Sequence, residues 1–386
     1  MDIQRFRFFR EREFHVERQA KRLSDRRLQP RIGASSVFEA LFYMGVLGLG
    51  SLLGLDQFLR TSKGKKLFGR TSPLVSDSTL SRSLEGFDLA ALHSIFEAVY
   101  KAARSIGLGR LSIGQERLRV GLIDGSCFGA LSASCFAQVS SICLMGGLEP
   151  IPKRGKELPS SKRLLLRLLE QFGPRWVDLL LLDGLYVAQD FIRTCLQRCQ
   201  VDVLIKTDEE GLSIIQDAMG LFRHYKEYSF DIEHIEGTDI QRMRTYEVYA
   251  LDGFFLEGVD TPFKVAWVQE EDIRTGKKFE FWVLTTFQSL TAGQMRELAH
   301  WRWDIENNGF KMLNSLVHTK HMYAHLPNAA QAVTLILFIA GNILQLFLKS
   351  LSSQEIEDSF GKVKHTRRFL QTELRDSIAN LPIPDT

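Results

Sequence analysis

The sequence predicts an α/β protein: a mixed sheet covered on both faces by helices, with an all-helical segment ahead of it. Three observations carry that prediction. Apolar runs end in Asp-Gly at "VGLIDGS" (120–126) and "LLLLDGLY" (179–186), as buried strands ending in turns do. Roughly the first 110 residues show helical spacing of apolar positions and almost no alternation. From Asp231 to Thr286 alternation dominates, and helical spacing returns at Thr291. At 386 residues the chain exceeds one ordinary core, so two or three domains, or one with large insertions, are expected. With 45% hydrophobic and 25% charged residues, a disordered chain is excluded.

Arg5 to Arg27 reads as a basic helix with Phe6, Phe9, Phe14 and Val16 as its apolar points, and Ser36 to Leu55 as one or two apolar helices. In "SPLVSDSTLSRSL" (72–84), Ser76 or Asp77 can cap a helix that continues into Leu80 and Leu84. Following a helix that ends near Leu59 and a basic loop, it fits the second half of a helix-turn-helix with Ser78, Thr79 and Arg82 outward. A plain packing helix fits equally.

"RLRVGLIDGS" (117–126) is the first core strand, and "SCFAQVSSICLM" (134–145) supplies one or two more. "SKRLLLRLLEQFG" (161–173) is an amphipathic helix stopped by Gly173-Pro174. Residues 176–199 read as strand, Asp-Gly turn and helix, and "VDVLIKT" (201–207) as a short strand. Over 291–316 a helical pattern sets Leu298, Ile305, Met312 and Leu316 on one side. "VTLILFIAGNILQLFL" (333–348) is short for a bilayer and is broken by Gly341, Asn342 and Gln345, so it reads as a buried helix. The expected organisation is a helical domain over 1–110, the first part of the α/β core over 111–210, a β-rich insertion over 211–288, core helices over 289–350 and a helical tail over 351–386.

Net charge is +3, unevenly spread. Residues 1–33 hold ten Lys/Arg against five Asp/Glu; Arg60, Lys63, Lys65, Lys66 and Arg70 form a second cluster, and "PKRGKELPSSKR" (152–163) a third. Basic patches on a nearly neutral chain suggest a polyanion partner, ordinary solvated faces being the alternative. Five cysteines, an odd number, do not form a disulfide framework, and Cys195 and Cys199 lack a second ligand pair for zinc. A reducing cytoplasm is expected, with no secretory or transit signal in "MDIQRFRFFRERE".

Asp124 and Asp183 each end an apolar strand ahead of a glycine. If those strands are neighbours, both carboxylates emerge at one sheet edge, where α/β proteins place active sites. Glu306 can reach that edge from a helix. Three oxygen ligands suit two Mg²⁺ or Mn²⁺ ions and in-line phosphodiester chemistry. The plain alternatives are ordinary Asp-Gly turns and an Arg302–Glu306 surface pair worth about 0.3–0.5 kcal/mol. His318, His321 and His325 fall at helical spacing, and DNA-backbone contact or plain surface is favoured there over zinc. Trp282 reads as strand packing.

"LIDGS", "LLLLDGLY" and "HWRWDIENNGFKMLN" resemble the three acidic blocks of bacterial insertion-sequence DDE transposases, the group marked by a Tyr-x2-Arg-x3-Glu-x6-Lys signature. The resemblance covers residues 117–348. It implies an RNase H-like catalytic core with a β insertion before the Glu-bearing helix. By position, Asp124, Asp183 and Glu306 become the metal-binding triad, and Arg302 the signature arginine beside a DNA phosphate. The signature tyrosine and lysine fall at Ala299 and Leu313, with His300 and Lys311 as neighbouring substitutes; Lys206 and Arg82 are further DNA-contact candidates. The resemblance implies double-stranded DNA as partner, a homodimer on DNA, no membrane and a cytoplasmic, nucleoid-associated location. A metal nuclease without joining activity, or an inactive DNA-binding remnant, are the alternatives.

Overall fold

The computed structural model describes residues 2–69, 75–105, 110–114, 116–140, 142–222, 227–235, 242–273, 275–305, 309–352, 355–356 and 366–382, with backbone alone at 227–235, 242–244, 303–305 and 366–368. Helices fill the first 105 residues: α1 (Ile3–Phe14), α2 (Val16–Ala20), α3 (Ala34–Val46), α4 (Leu52–Arg60), α5 (Ser62–Phe68), α6 (Asp77–Gly86) and α7 (Leu89–Ser105). The basic stretch read as one helix is two, because His15 adopts a left-handed conformation (φ 49°) that ends α1. Ser76 is the α6 cap, its hydroxyl accepting from the Thr79 N–H.

A small hairpin, β1 (Leu111–Ile113) and β2 (Glu116–Leu118), leads into the main sheet. That sheet is built from β3 (Val120–Phe128), β4 (Leu131–Val139), β5 (Cys143–Pro150), β6 (Leu179–Asp183), β7 (Asp202–Thr207), β8 (Glu227–Ile235), β9 (Arg242–Phe254), β10 (Phe263–Asp272) and β11 (Lys278–Thr285). Its nine strands lie in the order β5-β4-β3-β6-β7-β11-β10-β9-β8. The β3–β6 and β6–β7 pairs are parallel and the rest antiparallel. The fold is thus a mixed α/β arrangement, as expected. The β-rich segment continues the same sheet, because β11 pairs directly with β7.

Between strands lie α8 (Glu157–Phe172), α9 (Gln189–Arg193) and α10 (Ser213–Leu221); α11 (Ala292–Ile305), α12 (Lys311–Val317), α13 (Pro327–Ser350) and a C-terminal helix (Thr366–Ser377) follow the last strand. One face of the sheet takes α8, whose Leu164 and Leu168 pack on Gly147. The other takes α11 and α13, with Phe338 of α13 edge-on to Phe128 at 5.1 Å. In length and apolarity α13 matches a membrane span, yet 89% of its most apolar window is buried within the protein, against α3, α6, α7 and β5. His318 closes α12 in a left-handed conformation (φ 55°), so His318, His321 and His325 do not share one helical face.

Candidate active site

Strand pairing decides which carboxylates meet. β3 and β6 run parallel with Val120 opposite Leu179, Gly121 opposite Leu180 and Leu122 opposite Leu181. The pairing ends there; the same offset, carried two residues on, would set Asp124 level with Asp183, one strand spacing of about 5 Å across the sheet. On the far side of β6, Asp183 pairs with Lys206 of β7. Lys206 in turn lies opposite Val283, and Phe279 opposite Glu270. Side chains alternate along each strand, so Asp124, Asp183, Lys206, Phe281 and Glu270 face the same way.

Contacts agree with that register. The Lys206 Nζ lies 3.9 Å from the centre of the Phe281 ring, and α11, crossing this face, brings Arg302 Nη1 within 3.9 Å of Asp124 Oδ2. Asp183, Lys206, Glu270, Phe281, His300 and Arg302 wall a cleft of about 600 Å³. Asp124, 7% exposed, lies off that wall, beside Arg302. Gly125 turns to the opposite face, where a Cβ would stand 2.4 Å from Glu157 Oε2. Glu157 accepts there from the Tyr186 hydroxyl at 3.0 Å, and burial pushes that phenol far above its usual range.

Asp183 ends β6 and also acts as a turn residue, whereas Asp124, expected to end its strand, lies within β3, which runs on to Phe128 with Asp124 opposite Cys135. Asp183 accepts from the Leu185 N–H at 3.0 Å and Asp124 from the Gly125 N–H at 2.8 Å. At Asp183 the plain turn reading and the site reading are therefore compatible, since a carboxylate has acceptor sites for both roles; at Asp124 the strand continues and there is no turn.

A second group adjoins the cleft. Glu270 of β10 is 4% exposed, and its Oε1 accepts from Arg296 Nε at 2.6 Å and lies 2.5 Å from His300 Nε2. The Arg296 guanidinium stacks 3.8 Å over Tyr246. Sequence reasoning missed Glu270 and Arg296. The signal was present: Glu270 follows Val268 at the inward beat of an alternating strand, and Arg296 precedes His300 by one helical turn.

Of the residues singled out in the sequence, Asp124, Asp183, Lys206, His300 and Arg302 come together. Lys311 is exposed at the start of α12. Arg82 is exposed on α6, its Nε donating to the Ser78 carbonyl at 3.2 Å, within the helical region and off this cleft. Glu306 lies outside the described residues. Ala299 and Leu313 are wholly buried, so these two signature positions are packing positions with no room for a long polar side chain. Trp282 is buried too, stacked on Trp267 at 5.8 Å.

Two hard oxygen donors on adjoining strands suit a divalent cation. Among the described residues no group of three or more His, Cys, Asp or Glu stands close enough together to hold one. No family model matches this chain, and no curated protein matches it.

Proposed function

We propose that the chain is a DDE-type transposase of a bacterial insertion sequence, cutting and joining DNA strands at element ends on an RNase H-like core. The observation that carries the reading is the parallel pairing of β3 with β6, whose offset extended two residues would bring Asp124 level with Asp183, together with Arg302 set 3.9 Å from Asp124. The strand order supports it as well. Three antiparallel strands are followed by two parallel to the first, giving β5-β4-β3-β6-β7, the arrangement an RNase H-like core has.

In this reading Asp124, Asp183 and, by position, Glu306 would hold two Mg²⁺ or Mn²⁺ ions. When bound, such ions lower the pKa of an attacking water or 3′-hydroxyl and stabilise the leaving oxygen. The chain's own cations do the rest. Arg302 presents a planar guanidinium suited to a phosphate, and Lys206 and His300 line the wall along which a strand would lie. Phe281 supports the Lys206 ammonium on its ring. The helical region 1–110, with Arg82, and Lys311 of α12 would contact the element ends. Two chains would pair on DNA, in the cytoplasm at the nucleoid.

The test is divalent-metal-dependent nicking of the inverted repeats flanking the gene, by the wild type beside Asp183→Asn. Nicking by the wild type alone is the expected result; equal nicking by both removes the mechanism. One observation favours a second reading, a nuclease that cuts without joining. With Ala299 and Leu313 buried, two DNA-end contacts of the signature group are not made from those positions. Strand transfer from pre-cleaved ends separates the two.

A further inference from the structure

We infer that the loop of residues 151–156, between β5 and α8, is a second contact for the DNA backbone, holding duplex that runs on from the carboxylate edge toward β5. The inference rests on the proposed function and extends it to a surface outside the cleft. Its placement follows from register. Cys135 of β4 lies level with Asp124, and Leu148 of β5 level with Cys135. β5 therefore runs in the direction of β3 and ends at Pro150, two residues past the level of Asp124. The loop leaves the sheet at the end at which β6 stops with Asp183, two strand spacings, about 10 Å, from β3.

The loop carries Lys153, Arg154 and Lys156, all exposed. Gly155 between them has a left-handed φ of 77°, and no atom lies within 4 Å of where its Cβ would be, so the apex projects into open space. The acids closest in sequence are already committed. Glu149 holds Arg163 at 2.8 Å and Arg167 at 2.9 Å, and Glu157 is turned inward to Tyr186 and Gly125. The remaining lysine of this cluster, Lys162, pairs with Asp190. Much of the charge in the other two clusters is also spent within the fold: Arg5 on Glu355, Arg10 on Glu39, Arg60 on Asp56 and Lys63 on Asp376. Among the described residues Lys153, Arg154 and Lys156 make no ion pair, so their field reaches outward. Duplex DNA carries one charge per about 1.7 Å of axis, so a phosphate held by Arg302 beside Asp124 leaves others within reach of the loop.

The experiment measures binding of the full chain to a fluorescein-labelled duplex of random sequence over a series of salt concentrations. Each phosphate contact contributes about 0.9 to the slope of log affinity against log salt. Neutralising all three cations (Lys153→Gln, Arg154→Gln, Lys156→Gln) is expected to flatten the slope by about 2–3, while Lys153→Arg with Lys156→Arg keeps it. Should the triple variant fail to fold, Arg154→Gln alone is expected to flatten it by about 0.9. Wild-type binding with an unchanged slope in the neutralised variants overturns this inference and leaves the transposase reading standing. Absence of DNA binding by the wild type overturns both.

Discussion

Asn342 on α13 and Asp124 on β3 are both buried polar residues set among apolar ones, and they differ in what their polar atoms meet. Asn342 is wholly buried; its Oδ1 accepts from the Met145 N–H at 3.0 Å and its Nδ2 donates to the Met145 carbonyl at 2.8 Å. β5 is an outer strand of the sheet, so this amide completes an edge that would otherwise bury unpaired backbone groups. Gln345, one turn on, donates to the Cys143 carbonyl of the same strand. Asp124 instead faces Arg302 at the margin of a cleft, on the strand next to the one that ends in Asp183. Polarity in an apolar run thus has two settings here: a backbone to be completed, or the margin of a cleft, where the proposed function places DNA.

The comparison breaks most sharply on a matched pair of substitutions. Asp124→Asn keeps size and shape, and is expected to cut metal-dependent nicking by about a thousandfold or more while leaving the thermal midpoint unchanged. Asn342→Leu is expected to do the reverse. Two buried backbone groups lose their partner, costing about 3 kcal/mol, and the rate per folded molecule stays at the wild-type value. Nicking assays and thermal melts on both proteins decide it. If Asn342→Leu lowered the rate with stability intact, the division drawn between the two regions would be wrong.

Glu270 tests the border between the regions, because it is buried like Asn342 but lines the cleft with Asp183. Glu270→Gln weakens its hold on Arg296 and His300, with an expected loss of about 2 kcal/mol in urea denaturation. That is below the 3–5 kcal/mol typical of a fully broken buried pair, because the amide oxygen still accepts. A frame residue shows a loss of nicking that follows the loss of folded protein. A larger drop in kcat than in stability would instead move Glu270 into the group proposed to act on DNA.

Local sequence made some of this legible and concealed the rest for definite reasons. Asp124 and Asp183 stood out because each ends an apolar run ahead of glycine, a pattern contained within eight residues. That β3 and β6 are neighbours is a long-range pairing, which no local pattern encodes. The alternation of Phe263–Asp272 and Lys278–Thr285 was equally readable, yet its attachment to β7 was not. Arginine counts exaggerated the free charge of the N-terminal segment, because composition shows the cations and not their partners. Arg10 lies between the Phe42 and Tyr43 rings and pairs with Glu39 at 2.6 Å. The break at His15 was hidden because its left-handed turn lacks the glycine that usually marks one.

The smallest expected effect concerns a group in the helical region. His93 of α7 accepts from the Gln331 amide of α13 at 3.0 Å, which suits a neutral ring. Burial, with a smaller push from the Arg167 charge, brings this imidazole down to about 4. Between that value and an unfolded value near 6.5, the unfolded chain binds the extra proton, so stability rises with pH. The contribution is complete above about pH 6.5 and is lost as pH falls toward 4, at up to about 1.4 kcal/mol per pH unit. His93→Gln removes the titrating group, and its denaturation midpoints are expected to vary less with pH across that window than those of the wild type. Equal slopes would mean that the ring binds its proton alike in the folded and unfolded chains. The packing of α7 on α13 would then tolerate a buried charge of the kind that the cleft, and not the helical region, is built to present.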